Sequence, residues 1–163
     1  MIVETGAVIP DADSYVSVAE ADAYFTSRGI DAWAGATSVK ESALVRATDY
    51  VEQTYDGRWK GERVSSDQSL SWPRYDVCVD GYYIPMAAIP KQLVRAVCEL
   101  AVKALSSDLN PDIDKGGVKF EKVDVIETEY FENGPLNTKR PAVDGNLRGL
   151  LISNGVNAKV VRV

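Results

Sequence analysis

The sequence predicts a mainly α-helical protein, a small helical bundle with a long central loop, followed by a β-strand extension and a short C-terminal helix and tail. Three observations lead there. Ser17-Val18-Ala19-Glu20 and Ser38-Val39-Lys40-Glu41 are both capping boxes, the pattern that satisfies orphan N–H groups at a helix start. A run from residue 90 to about 107 is apolar around most of a helical circumference. Beyond Asn110-Pro111 the composition turns to β-formers alternating with charges. These boundaries predict an N-terminal arm over 1–13, a helical core over 14–108, and an extension, short helix and tail over 109–163.

Along the chain, Gly6 and Pro10 break any helical period, so residues 1–13 read as extended. The first helix places Val18, Ala21, Tyr24 and Phe25 on one face and stops at Gly29. The second carries Leu44, Ala47, Val51 and Tyr55 on a single stripe and ends near Asp56-Gly57. Residues 56–88 form a long connection, and connections of that length in compact domains are usually functional or partly structured. Within it Asp80-Gly81 is a turn signal, predicting a hairpin between Val77-Cys78-Val79 and Tyr82-Tyr83-Ile84.

Pro90 suits the first position of the third helix, where a missing N–H costs nothing. That helix is apolar through Leu93, Val97 and Leu100, with Lys91, Arg95, Glu99 and Lys103 on one narrow polar stripe. Burial on so many sides suggests help from another subunit. In the extension, Val118/Phe120 and Val123/Val125 alternate with a phase slip at Lys122, which predicts a bulge or bend. A strand run this long and charged, from Val118 to Phe131, needs a partner strand from the tail or a neighbour. Val118, Phe120, Val123, Val125 and Tyr130 are therefore candidates for a subunit interface. Pro141-Ala142-Val143-Asp144 opens a short helix holding Leu147, Leu150 and Leu151, closed by Asn154-Gly155. Arg148, Lys159 and Arg162 outweigh Asp144 in this last part. With the alternating Val160 and Val161, they make the tail a candidate docking element.

Composition excludes whole classes of function. The chain has 163 residues, is 45% hydrophobic and contains no apolar run of membrane-spanning length, so no membrane partner is expected. Its N-terminus lacks the basic and apolar regions of a secretory signal. Cys78 and Cys98 have no metal or redox spacing and read as buried small hydrophobes in a reduced compartment. Histidine is absent, which removes Ser-His-Asp and Cys-His catalysis and most zinc sites. A net charge of −6 argues against phosphate neutralisation as the main task. Asn110, Asp112, Asp114 and Glu121 echo a calcium loop. Lys115 stands where glycine is required and a strand follows instead of a helix, so ordinary turn chemistry explains them. No phosphate-binding glycine loop occurs, and Glu127 and Glu129 read as a solvated strand face. No catalytic residue, metal or cofactor is predicted, and the chain is not expected to be an enzyme.

The central loop holds the most distinctive residues. Trp59 and Trp72-Pro73 lie among Arg58, Lys60, Arg63 and Arg74. Bases can stack on Trp59, Trp72 and Tyr75 while the cations hold phosphates, as in proteins that grip single strands. Asp56, Glu62 and Asp67 nearly cancel those cations. The competing and favoured reading makes Trp59, Trp72 and Pro73 part of the helical core with Leu93, Val97 and Leu100, and pairs Arg74 with a carboxylate.

The segment from Ser14-Tyr15-Val16-Ser17 through Tyr24-Phe25, with Trp33 and Leu44-Val45-Arg46-Ala47-Thr48-Asp49-Tyr50-Val51, closely resembles the opening of tailed-bacteriophage head–tail connector proteins. Trp59-Lys60-Gly61, Leu70-Ser71-Trp72-Pro73-Arg74 and Ile89-Pro90 resemble that family's central signature, and Pro141-Ala142-Val143-Asp144 echoes its end. The resemblance covers residues 14 to about 105, and members are also catalogued as DnaT-like single-stranded-DNA-binding proteins. It implies a non-enzymatic adaptor, made in the host bacterial cytoplasm and resident in the virion. There it forms a dodecameric ring beneath the portal protein after DNA packaging and presents a platform to a tail or tail-completion protein. DNA passes only through the lumen of such a ring, which an acidic wall favours. In that setting Arg148, Lys159, Val160, Val161 and Arg162 become candidates for docking on the portal.

Overall fold

The computed structural model describes residues 1–110, 120–123, 126–129 and 140–152. Helices α1 (Val18–Thr26), α2 (Thr37–Tyr55), α3 (Lys91–Ala104) and α4 (Pro141–Leu147) enclose one apolar core. Short antiparallel pairs β1–β2 (Glu62–Arg63 with Arg74–Tyr75) and β3–β4 (Cys78–Val79 with Tyr82–Tyr83) structure the connection between α2 and α3. A third pair, β5–β6 (Phe120–Val123 with Ile126–Glu129), lies in the extension.

Ser17 caps α1 as predicted: its hydroxyl accepts from the Glu20 N–H at 3.2 Å, and the Glu20 carboxylate accepts from the Ser17 N–H at 2.9 Å. The second predicted box does not form. The N-cap of α2 is Ala36 without a side-chain bond, and Ser38 lies inside the helix, where its carbonyl accepts from the Ser42 hydroxyl. The helix begins two residues before the start that box would set, and Ala43, Leu44, Ala47, Val51 and Tyr55 form its buried face. Pro90 is the N-cap of α3, one position earlier than expected.

Helix α3 is the central element. Leu93, Ala96, Val97, Cys98, Leu100, Ala101 and Ala104 are buried against α2 on one side and α4 on another, with α1 also in contact. The chain's own helices thus cover most of the face expected to need a second subunit. Tyr24 on α1 donates a hydrogen bond to Glu99 on α3 at 2.8 Å, and Arg46 on α2 donates to the Ala104 carbonyl. Helix α4 brings Val143 and Leu147 into the same core, followed by Leu150 and Leu151 just past its end.

The N-terminal segment is fastened by one buried carboxylate. Glu4 accepts from the N–H groups of Gly6 at 2.7 Å, Val8 at 3.2 Å and Ile9 at 2.7 Å, and residues 3 and 14 form a parallel bridge. Gly6 has φ +99°, and a Cβ there would sit 2.3 Å from the Ala87 carbonyl oxygen, which explains why this position carries no side chain.

The extension differs from expectation. Its run does not continue as one strand with a slip at Lys122. Phe120 pairs with Glu129 and Val123 with Ile126, so the mate is in the same chain. Lys122 is a regular ladder residue opposite Glu127.

Trp72 is fully buried, beside Phe25 and Leu44 among the largest enclosed side chains. Its replacement by alanine is predicted to cost about 3–5 kcal/mol in chemical denaturation, the range for a large buried aromatic. A variant that unfolds at the wild-type midpoint would show that the indole contributes nothing to the core.

Candidate functional site

In the segment 58–75 both tryptophans are buried, and Arg63 and Arg74 turn to backbone carbonyls. Trp59 is 3% exposed and Trp72 0%, with their rings edge-to-face at 6.0 Å and 87°. Both indole Nε1 atoms are buried with no hydrogen-bond partner among the described residues. Neither face is open to a base, which removes the stacking platform that Trp59 and Trp72 would have given a single strand. Pro73 is buried with them, as are Leu93, Val97 and Leu100 on α3. Tyr75 is at the surface, but its hydroxyl is bonded to Glu62 at 2.6 Å.

Arg74 does not meet the carboxylate that the sequence leads one to expect. It donates instead to backbone carbonyls: Nε to Lys60 at 2.8 Å, Nη2 to Gly61 at 2.7 Å and Nη1 to Ser71 at 3.2 Å. Arg63 likewise donates to the carbonyls of Gln68 and Leu70. In a loop with few ladder bonds these guanidinium groups satisfy carbonyls that would otherwise be orphaned. Burial, and then the charge of Arg63 nearby, lowers the Arg74 pKa from its ordinary value.

The carboxylate of the segment comes from α2. Glu52 accepts from the Tyr15 hydroxyl at 2.6 Å and from the Ser71 N–H and hydroxyl at 2.8 and 2.7 Å, while the Trp72 N–H donates to the Tyr15 oxygen at 3.1 Å. Gly61 has φ +65°, and a Cβ there would lie 2.0 Å from the Tyr75 carbonyl oxygen. That accounts for the glycine in Trp59-Lys60-Gly61: Gly61→Ala is predicted to destabilise by about 1 kcal/mol or more through its positive φ and close approach, read as a lowered denaturation midpoint.

Two features do reach the surface. Residues 58–60 run antiparallel to 150–152, with Lys60 N–H bonded to the Leu150 carbonyl at 3.0 Å and Ile152 N–H to the Arg58 carbonyl at 2.8 Å. Between them opens a cleft of about 710 Å³ lined by Arg58, Lys60, Asp144, Gly145, Arg148, Leu151 and Ile152. The β3–β4 hairpin is the other feature. Its turn residues Asp80 and Gly81 have φ of +50° and +86°, as a two-residue hairpin turn of the primed type requires. Tyr82 and Tyr83 are 80% and 73% exposed and Met86 61%.

Of the other sequence candidates, Phe120 and Val123 lie in β5, whereas Val118, Val125 and Tyr130 fall outside the described residues. Arg148 lies at the cleft, and Lys159, Val160, Val161 and Arg162 are outside the described residues, as are Asp112 and Asp114. Sequence reasoning does not foresee the cleft, because Arg58 and Arg148 meet only through the pairing of 58–60 with 150–152. Among the described residues no group of three or more His, Cys, Asp or Glu side chains is gathered as for a metal ion, and no helix is long and apolar enough to cross a membrane. Cys98 is buried, which pushes its thiol pKa up to about 12, and Cys78 is half-buried; both are free thiols.

The profile of the family described as "Putative DnaT-like ssDNA binding protein" matches residues 1–163, the whole chain. The protein belongs to this family. No curated protein and no solved structure matches it. In this DnaT-like chain the signature around Trp59 and Trp72 is buried, whereas Arg58, Arg148, Tyr82 and Tyr83 are exposed.

The phenols of the scaffold give a pH signature. Burial, and then Glu52, raises the Tyr15 pKa well above 10.0; burial, and then Glu99, raises that of Tyr24 to about 12; burial, and then Asp144, raises that of Tyr55. Each phenol holds its proton more tightly folded than unfolded. Its contribution is therefore complete below pH about 10 and is lost as pH climbs through the raised value. Unfolding free energy is predicted to fall above that pH, with Tyr15→Phe flattening the fall. An alkaline fall that Tyr15→Phe leaves unchanged would contradict the assignment.

Proposed function

We propose that the protein is a non-enzymatic structural adaptor, a head–tail connector subunit that forms a cyclic homo-oligomer, a dodecamer, beneath a phage portal and offers a platform to the tail. The observation that carries this reading is the inward packing of the aromatic and basic signature. The residues that carry the resemblance to connector proteins build a rigid scaffold: Tyr15, Trp59, Trp72, Pro73 and Arg74 are spent on packing and on backbone carbonyls. What the scaffold presents is a short hairpin with Tyr82 and Tyr83 exposed, followed by exposed Met86, on a chain of net charge −6. Aromatic and methionine side chains are enriched at protein–protein contacts, and an acidic surface suits a conduit that DNA traverses without adhering.

A second reading is single-stranded DNA binding. The family's description supports it directly, which nothing similar does for a connector, and the cation-lined cleft gives it a physical place.

Electron microscopy of the protein mixed with a portal tests the first reading: rings stacked on the portal are expected. Tyr82→Ser with Tyr83→Ser is predicted to leave the melting temperature unchanged and to abolish ring formation, since both rings are solvent-exposed in the single chain. Submicromolar affinity for single-stranded DNA at physiological salt, with no association with a portal, would discard the adaptor in favour of the DNA-binding reading.

A further inference from the structure

We infer that the cleft between residues 58–60 and the end of α4 is a phosphate-binding site for the backbone of a DNA strand, held by Arg58, Lys60 and Arg148. The inference deepens the DNA-binding reading and rests on it; it does not depend on the adaptor reading. On an acidic chain the cleft gathers three cations around about 710 Å³ of open space against a single carboxylate, Asp144. Asp144 Oδ1 accepts the Tyr55 hydroxyl at 2.6 Å, and three cations against this one carboxylate leave the cleft with a formal surplus of positive charge. Among the described residues the only ion pair is Lys40–Asp22, far from the cleft in sequence, so neither Arg58 nor Arg148 is neutralised there.

The cations are positioned by backbone. Lys60 Nζ donates to the Gly149 carbonyl at 2.8 Å and to the Cys78 carbonyl at 3.3 Å. An ammonium has three N–H donors, so one remains for a ligand. Arg58 lies over the Tyr55 ring with its Cζ 5.4 Å from the ring centre, which steadies the guanidinium without using its donors. Arg148 is the C-cap of α4, exposed on the opposite wall. Two guanidinium forks and an ammonium across one cleft match the spread oxygens of a phosphodiester better than a lone carboxylate. The hairpin lies alongside: a Cβ placed on Gly149 would be 3.2 Å from Val79 Cγ1, and Val79 is paired with Tyr82. Directly paired residues share a face of the ladder, so the exposed Tyr82 lies on the hairpin face that carries Val79.

The test is fluorescence anisotropy of the full chain with labelled oligothymidylate over a salt series. Three phosphate contacts on a single strand predict a log–log salt slope of about −2, hence weak binding at physiological salt. Arg58→Gln and Arg148→Gln are each expected to weaken binding about tenfold at low salt and to lower the slope by about 0.7. Both side chains are exposed, so the melting temperature should not move; Arg148→Lys should recover the slope while recovering only part of the affinity. If the wild type binds and both glutamine variants bind equally well, the site is wrong while the DNA reading survives. If the wild type fails to bind even at low salt, both fall. An oligoglutamate peptide that displaces the DNA as well as inorganic pyrophosphate does would overturn the phosphate assignment.

Discussion

The structure depends on one carboxylate, that of Glu52. It sits on α2, on the helix face turned towards the central loop, and receives the Tyr15 hydroxyl together with the N–H and hydroxyl of Ser71. Tyr15 in turn accepts the N–H of Trp72. Four donors from the segment before α1 and from the central loop are thereby tied to one point on a helix. The indole of Trp72 then enters the core with its backbone N–H already satisfied. Burying an indole is favourable only if the peptide groups carried in with it find partners, since an unpaired buried donor costs about 1–3 kcal/mol. The short network removes that cost for the Trp72 backbone N–H, although the indole Nε1 has no partner among the described residues.

The same logic explains how a connection of some thirty residues remains ordered with only two-residue strands. Arg63, Gln68 and Arg74 act as substitutes for a sheet neighbour. Gln68 is 3% exposed and donates to the carbonyls of Leu70 and Pro73, while its own oxygen accepts the Ser65 N–H. Long side chains that bond backbone groups cost rotamer entropy, and they offset it by fixing several carbonyls at once. This is why position 74 carries an arginine. A lysine cannot reach three carbonyls with fixed geometry, whereas the Arg74 fork does so.

Much of the helical part is legible in the sequence because it rests on local signals. The capping box of α1, the stripe of α2, the Asp80-Gly81 turn and the apolar run of α3 all depend on periods and turn chemistry within a few residues. The failures share a cause as well. Ala36 takes the N-cap in place of Ser38, a shift of two residues that the local pattern does not announce. Arg74 finds carbonyls instead of a carboxylate because the composition of a loop does not reveal which backbone groups lack partners. The paired strands of the extension look like one strand in sequence because no glycine or proline occurs from Val118 to Phe131 to announce a break. The cleft is illegible for a different reason. Its walls come from residues nearly ninety positions apart, and only the pairing of 58–60 with 150–152 unites them.

Family membership and geometry bear on different questions. The family profile spans the entire chain and so describes a shared fold, whereas function belongs to the groups a fold leaves accessible. In this chain the residues that look most like a nucleic-acid grip, Trp59, Trp72 and Arg74, are the ones the fold consumes. The accessible groups come from less conspicuous sequence: Arg58 beside the tryptophan, Arg148 at the end of a short helix, and two tyrosines on a hairpin. A chain of net charge −6 repels a phosphate backbone at a distance, but at contact range a few unneutralised cations outweigh that diffuse field. The two readings of function therefore differ less in fold than in which of two neighbouring surfaces, the cationic cleft or the tyrosine hairpin, carries the larger free energy of association.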